Sequence, residues 1–207
     1  MSHSEQHGPQ SKRHFFDFHA EGWDRDNSTA SERLKIDSLV RNMGLRKGWR
    51  VLEVGCGSGQ VSAALLGVLG PAGQVTAFDI SGAMLAQARA KQLERAFYFQ
   101  ADAAVLPLAG SLFEAAVLFR VFPHLDGKSA CLAELRRVLR PGGWLILAHP
   151  AGREQLNACH AAMSDEVALD MLPEEPVLRD TLHVAGFKVM SVEDHPERYL
   201  VLARRNC

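Results

Sequence analysis

At 207 residues the chain is long enough to bury one sizeable core and short for two full domains. Apolar residues make up 47% and charged residues 23%, and 23 Lys and Arg stand against 24 Asp and Glu, so no net field draws the chain to DNA, RNA or an anionic membrane. Four scattered cysteines (Cys56, Cys131, Cys159 and Cys207) form no C-x-x-C pair, which argues against a zinc ribbon or a disulfide framework and fits a reducing cytoplasm; the polar first residues hold no secretory h-region, and no apolar run approaches the roughly 20 residues of a membrane span.

In chain order, residues 1–13 are polar, include Gly8 and Pro9, and are expected to form a disordered tail. Residues 14–207 then form a single domain. His14 to Asp24, HFFDFHAEGWD, is short and aromatic and reads as an ordered cap. Ser31 to Met43 carries Leu34, Leu39, Val40 and Met43 near helical spacing, with Ser31 as the N-cap. Together these two segments, residues 14–45, read as an N-terminal lid. Arg50 to Val54 is an apolar run ending in glycine, the pattern of a buried strand. A helix over Gln60 to Leu69 is ended by GPAG, and Gln74 to Asp79 is the second strand. Ser81 caps a helix running to about Gln92, Phe97 to Gln100 is a strand, and Ala115 to Phe119 is a fourth. Lys128 to Leu139 is helical and is stopped by Pro141-Gly142-Gly143, and Trp144 to Ala148 is the fifth strand. Arg136, Arg137 and Arg140 read as a solvated helix face.

Strands alternating with helices predict a parallel sheet covered on both faces. The remainder breaks that rhythm. Glu154 to Asp170 and Val177 to Ala185 read as helices, the second ended by Gly186. Phe187 to Val192 and Tyr199 to Ala203 read as strands separated by too few residues for a parallel crossover, so they pair antiparallel.

The informative stretch is VLEVGCGSG, Val51 to Gly59, a strand that runs into a glycine turn opening a helix. Glycines allow the tight turn and the close approach of a ligand, and the helix start offers unpaired N–H groups. Such a turn suits a dinucleotide pyrophosphate or the carboxylate of an amino-acid-bearing cofactor. The dinucleotide pattern G-x-G-x-x-G fails here, because Gln60 stands where its last glycine belongs. Glu53, Asp79 and Asp102 fall at the ends of three successive strands, where open α/β sheets bind ligands. Asp79 is placed to accept from both hydroxyls of a ribose, Asp102 to accept from an adenine amino group, and a sulfonium with an ammonium would favour all three acids.

VLEVGCGSG, VTAFDIS, QADAAVLPL and LRRVLRPGGWLIL, in that order, resemble the motifs of class I S-adenosylmethionine-dependent methyltransferases, and most closely the small-molecule group that includes the ubiquinone/menaquinone C-methyltransferases. The resemblance spans about Trp23 to Ala148. It implies a Rossmann-like three-layer sandwich with a mostly parallel seven-stranded sheet and an antiparallel C-terminal pair. It implies S-adenosylmethionine as cofactor, with Glu53, Gly55, Cys56, Gly57 and Gly59 around its methionine part. Asp79 and Ile80 would hold the ribose and flank the adenine, with Met84 packed nearby and Asp102 and Ala103 reading the adenine edge. Phe119 and Arg120 would line the cofactor and face the acceptor, and Trp23 with Asp24 would close over it. Many relatives carry a small or amide residue in place of Arg120, so a cation there can steer an anionic acceptor.

The implied reaction is in-line methyl transfer to a small-molecule acceptor, in which the protein mainly aligns the partners and excludes water. His124 and His149 are the candidate bases, although His124 reads equally as a surface-loop histidine. Residues 150–176 would cap the acceptor side. His149 and His160 also raise a metal reading; Cys159 and His160, being sequence neighbours, point about 100° apart on a helix and do not share an ion easily. Three other readings compete: a cofactor-binding module without catalysis, methyl transfer to a metal-bound or corrinoid-like ligand, and an NAD-dependent oxidoreductase, against which Gln60 argues.

Overall fold

The computed structural model describes residues 9–27, 29–163 and 167–206. Seven strands form one sheet: Arg50–Val54 (β1), Gln74–Asp79 (β2), Ala96–Gln100 (β3), Phe113–Phe119 (β4), Leu139–His149 (β5), Phe187–His195 (β6) and Arg198–Arg205 (β7). Their order is β3-β2-β1-β4-β5-β7-β6. The first five are mutually parallel, and β7 inserts antiparallel between β5 and β6. The chain direction across the sheet reverses between β1 and β4, which opens a crevice at their carboxyl ends.

Period-two alternation sorts the strand residues onto two faces. Val51, Val75, Ala115, Val117 and Ile146 face one core, shared with Ile36, Leu39 and Val40 of helix α2 (Ala30–Arg41) and Leu65, Leu66 and Leu69 of α3 (Ser62–Leu69). Leu52, Phe78, Ala116, Leu118 and Leu145 face the other, packed by Leu132 and Leu135 of α5 (Lys128–Val138) and Leu178 and Leu182 of α7 (Glu175–Val184). The first face also holds Leu85 of α4 (Gly82–Ala90), and the second holds Leu156 of α6 (Arg153–Ala161). Helix layers therefore cover both sides of the sheet, the three-layer Rossmann-like arrangement expected.

Several local expectations change. A first helix, α1, runs over Pro9–Asn27, so the last five residues of the expected tail are helical, and residues 1–8 of that tail lie outside the described residues. The cap of α2 is Thr29, whose hydroxyl accepts from the Glu32 N–H, and Ser31 lies inside the helix. α6 ends at Ala161, well before Asp170, because Ala162 and Met163 already close the last turn on Ala158, Cys159 and His160 carbonyls. Pro141-Gly142-Gly143 lies within β5: Leu139 already pairs with Phe113, and the register shifts before Trp144 pairs with Ala115. Arg140 is thus a strand residue paired with Glu114, and Arg137, although exposed like Arg136 and Arg140, also bonds the Leu106 and Leu108 carbonyls at 3.0 and 2.6 Å and so shapes the loop after β3.

Candidate active site

Everything that distinguishes this molecule converges on the crevice between β1 and β4. After Val54 the chain enters left-handed backbone at Gly55, Gly57 and Gly59, with φ of 61°, 53° and 76°, a region costly for residues with a Cβ. Around the Cβ that Gly57 lacks there is no protein atom within 4 Å, so that glycine presents bare backbone to the cleft. Gly59 differs: a Cβ there would stand 3.1 Å from Ala88 Cβ and 3.2 Å from the Tyr98 hydroxyl. It does not line the cleft, and its absent side chain instead lets α4 and β3 pack against the turn.

The turn is locked to the neighbouring strand end. Asp79 accepts from the Gly57 N–H at 2.7 Å through one carboxylate oxygen and from the Ser81 N–H at 2.8 Å through the other. Its burial pushes the carboxyl above the ordinary aspartate range, against the pull of those N–H groups. One strand over, Glu53 is 1% exposed and accepts from the Ser62 hydroxyl at 2.6 Å; burial raises its pKa to about 7. Asp102 turns the loop after β3 by accepting from the Ala104 N–H at 2.8 Å. Burial also raises the pKa of the Cys56 thiol, first by desolvation and then by the nearby Glu53 and Asp79, so this cysteine is a small turn residue and no nucleophile.

Trp23, Glu53, Gly55, Cys56, Gly57, Asp79 and Ile80 all line one cleft holding about 1070 Å³ of empty space, its open mouth included. Met84, Asp102, Ala103, Phe119, Arg120 and His124 line it as well. His149 does not. It ends β5 opposite Tyr199, and burial with Arg120 nearby lowers its pKa to about 3. His124 is no surface-loop histidine: it closes a 3-10 turn, Phe122–His124, its side chain is 15% exposed, and its Nδ1 lies 2.7 Å from Asp170 Oδ2. Arg120, itself left-handed at φ 59°, ion-pairs with Glu32 of α2, so its charge is already matched. Among the described residues no three His, Cys, Asp or Glu side chains are grouped to hold a metal ion, and His160 instead bonds the Asp170 carbonyl.

α1 straps this cleft. Asp17 accepts from the Ser81 hydroxyl at 2.6 Å and the Ala83 N–H at 3.2 Å, Asp24 bonds Ser58 and Gln60 of the glycine turn, and Lys91 reaches Asp24 at 2.8 Å. Lys12, 5% exposed, pairs with Asp170 and also lines the cleft with Phe16. Sequence reasoning missed Lys12, Phe16, Val121 and Asp126 as lining residues, and Asp170 as a partner to the site. For Lys12 and Asp170 no sequence signal existed, since only the fold joins positions 158 apart. Phe16 belonged to an aromatic cluster already read as a lid.

The donor end of the cleft is negative. Glu53, Asp79 and Asp102 line it, whereas the lining cations are matched elsewhere, Lys12 by Asp170 and Asp126 and Arg120 by Glu32. An adenosyl group carrying an ammonium and a sulfonium fits such a field; a pyrophosphate does not.

Comparison with known proteins agrees. A methyltransferase domain family model matches residues 52–147. The O-methyltransferase CnsE of Penicillium expansum is 32% identical over 190 residues, 85% of this chain and 67% of that protein. The ubiquinone/menaquinone biosynthesis C-methyltransferase UbiE of Teredinibacter turnerae is 35% identical over 120 residues, 56% of this chain and 48% of that protein, so the chain spans about half the length of that relative. The crystal structure of a methyltransferase from Aquifex aeolicus has the same fold, with a TM-score of 0.72 at 22% identity over 88% of this chain and 97% of that one. The fold and its acidic, glycine-lined cleft define a nucleoside-binding transferase of the Rossmann-like class. The chain belongs to the class I S-adenosylmethionine-dependent methyltransferases. No helix among the described residues is long and apolar enough to cross a membrane.

Proposed function

We propose that this chain transfers the methyl group of S-adenosylmethionine to a small-molecule acceptor in the β1–β4 crevice. The observation that carries this reading is the Asp79–Gly57 lock beside an open, left-handed glycine. It leaves bare backbone for one end of the cofactor and a buried carboxylate for the other. In this reading the Gly55–Gly57 backbone and Glu53 receive the amino-acid part, and Cys56 only fills the turn. The remaining lone pairs of Asp79 accept from the ribose hydroxyls. Ile80, Met84, Asp102 and Ala103 surround the adenine, and Trp23 and Phe119 close over the sulfur region. Gly59 supports the turn from behind. When bound, the cofactor supplies an already activated methyl group on sulfur, so no covalent enzyme intermediate is required.

The protein's own work is alignment and exclusion of water. α1 covers the opening, and Asp170 of the α6–α7 connector backs the acceptor side through His124. The Lys12–Asp170 ion pair ties α1 to the α6–α7 connector beside the cleft, which favours a small acceptor over a polymer. The O-methyltransferase relative and the absence of a basic excess support the same choice. The unpaired thiols of Cys56, Cys131 and Cys159 suit a reducing, cytoplasmic setting.

The test is isothermal calorimetry of the purified chain with S-adenosylhomocysteine and S-adenosylmethionine. Saturable one-site binding that is lost in Asp79→Ala supports the reading. No heat with either ligand, on folded protein, overturns it.

A further inference from the structure

We propose that His124 is a general base for a phenolic or enolic hydroxyl acceptor, oriented by Asp170. The inference deepens the methyl-transfer reading and rests on it. Three separate segments build the cluster: His124 from the 3-10 turn after β4, Asp170 from the α6–α7 connector, and Lys12 from α1. His124 Nδ1 lies 2.7 Å from Asp170 Oδ2, and the same carboxylate oxygen receives the Lys12 ammonium. Hydrogen bonds from both partners hold the Asp170 carboxyl below the usual carboxylate range, so it is ionised and can only accept. Nδ1 must therefore carry the proton, and Nε2 is left with its lone pair. The Asp170 backbone is fixed as well. Its carbonyl receives His160 Nδ1–H, and its N–H bonds the Val167 carbonyl at 3.0 Å.

His124 lines the cleft that Gly57 and Asp79 line, so its imidazole shares one cavity with the donor site. Phe16 stands edge-on to both His124 and Trp23, with ring centroids 5.9 Å apart in each pair, which gives the acceptor side an aromatic wall. Lys12 on α1, Asp170 on the connector, His160 on α6 and His149 at the end of β5 act on the imidazole, with Asp126 after the 3-10 turn beside Lys12 and Lys128 on α5 bonded to the neighbouring Pro123 carbonyl. Burial, His160 and Lys12 hold His124 below the ordinary histidine range, and Asp170 opposes them. The ring is thus neutral at pH 7 and able to take a proton.

A buried imidazole held in this tautomer matches an acceptor whose proton must leave as the methyl arrives. A neutral amine attacks through its lone pair and needs no such base. A phenol or enol does need one, because the neutral hydroxyl is a poor nucleophile. In the step, a lone pair of the acceptor oxygen forms the new C–O bond as the donor's C–S bond breaks. The sulfur keeps that bonding pair and becomes a neutral thioether. The hydroxyl proton passes to His124 Nε2, and the imidazolium then returns it to solvent. Asp170 is a positioning residue: it touches neither reactant and acts through His124.

Two measurements test this. Long-range 1H–15N NMR on the cofactor-free protein reads the His124 tautomer; Nδ1–H in wild type, lost in Asp170→Ala, is expected, and an Nε2–H tautomer overturns the proposal. Transfer from methyl-labelled S-adenosylmethionine is then screened against simple phenols, hydroxynaphthoquinones, arylamines and aryl thiols. Methylation on oxygen is expected, with His124→Asn losing about 100-fold or more in kcat while keeping its affinity for S-adenosylhomocysteine. In Asp170→Asn the acid limb of kcat/KM moves to lower pH, since the carboxylate that raises the His124 pKa is gone. Products methylated only on nitrogen, sulfur or carbon, or full activity in His124→Asn, overturn the proposal. Failure of the wild type to bind S-adenosylhomocysteine instead refutes the methyl-transfer reading.

Discussion

Val121 Cγ2 stands 2.3 Å from the point where Gly55 would carry a Cβ, so the turn after β1 and the residues after β4 touch through a gap that only glycine leaves. Gly57, two residues on, has no such neighbour. The two glycines therefore fail differently when replaced by alanine.

Gly55→Ala forces Val121 aside and should cost about 2–3 kcal/mol of stability from overpacking and the left-handed backbone together. Gly57→Ala should cost only about 1–2 kcal/mol, the backbone contribution alone, yet abolish cofactor binding because its methyl enters the cleft. Paired thermal melts and calorimetry with S-adenosylhomocysteine separate the two. Equal melting losses, or intact binding in Gly57→Ala, would contradict the assignment.

Asp79→Asn should weaken S-adenosylhomocysteine binding by roughly 10- to 100-fold, corresponding to about 1.5–3 kcal/mol for lost hydrogen bonds to a charged group. The amide cannot accept from both the Gly57 and Ser81 N–H groups, since one end of it is a donor. The turn itself should loosen, visible as faster amide exchange at Gly57. An unchanged dissociation constant would remove Asp79 from the site.

Glu53 makes stability depend on pH. Its folded pKa of about 7 lies above the ordinary glutamate value of 4.5, so the native state holds the proton that the unfolded chain releases. Stability is therefore highest below pH 4.5 as far as this group is concerned, declines as pH rises between about 4.5 and 7, and is flat above that. The total decline is on the order of 3 kcal/mol. Glu53→Gln keeps an acceptor for the Ser62 hydroxyl and removes the ionisation, so the decline should vanish and the variant should be more stable than wild type at pH 8. Urea melts across this range check it; identical pH profiles would show that Glu53 titrates normally.

The strap formed by α1 should detach when its two acidic anchors are removed. Asp17 and Asp24 are partly exposed, so each contributes only about 0.5–1 kcal/mol. Asp17→Ala with Asp24→Ala should nonetheless raise amide exchange in residues 12–24 while β1, β2 and β4 stay protected. Undiminished protection in α1 would mean that its other ties, the Lys12–Asp170 pair and the packing of Phe16 and Trp23, hold the helix without the two acids.

The sheet was readable because its signals are local. Apolar runs, glycine punctuation and the short β6–β7 connection each act within a few residues, and Val51 to Asp79 carries the turn and its acidic partner in 29 positions. The acceptor side was not readable for the opposite reason. Lys12 sits among polar residues that looked like tail, and Asp170 sits beyond the true end of α6; each gains meaning only from the other, 158 residues away. Gly59 shows the same limit on a smaller scale. Its spacing suited a ligand contact, whereas the atoms its Cβ would meet belong to α4 and β3.

The reversal of strand order between β1 and β4 divides the labour of the molecule by chain position. In the proposed reading the segment from β1 to the loop after β3 builds most of the donor grip, and the parts that face the other reactant come later or from α1. Exchanging the α6–α7 connector for a sibling enzyme's, with Asp170 retained, would thus offer a route to retarget the chemistry without rebuilding the half that holds the nucleoside.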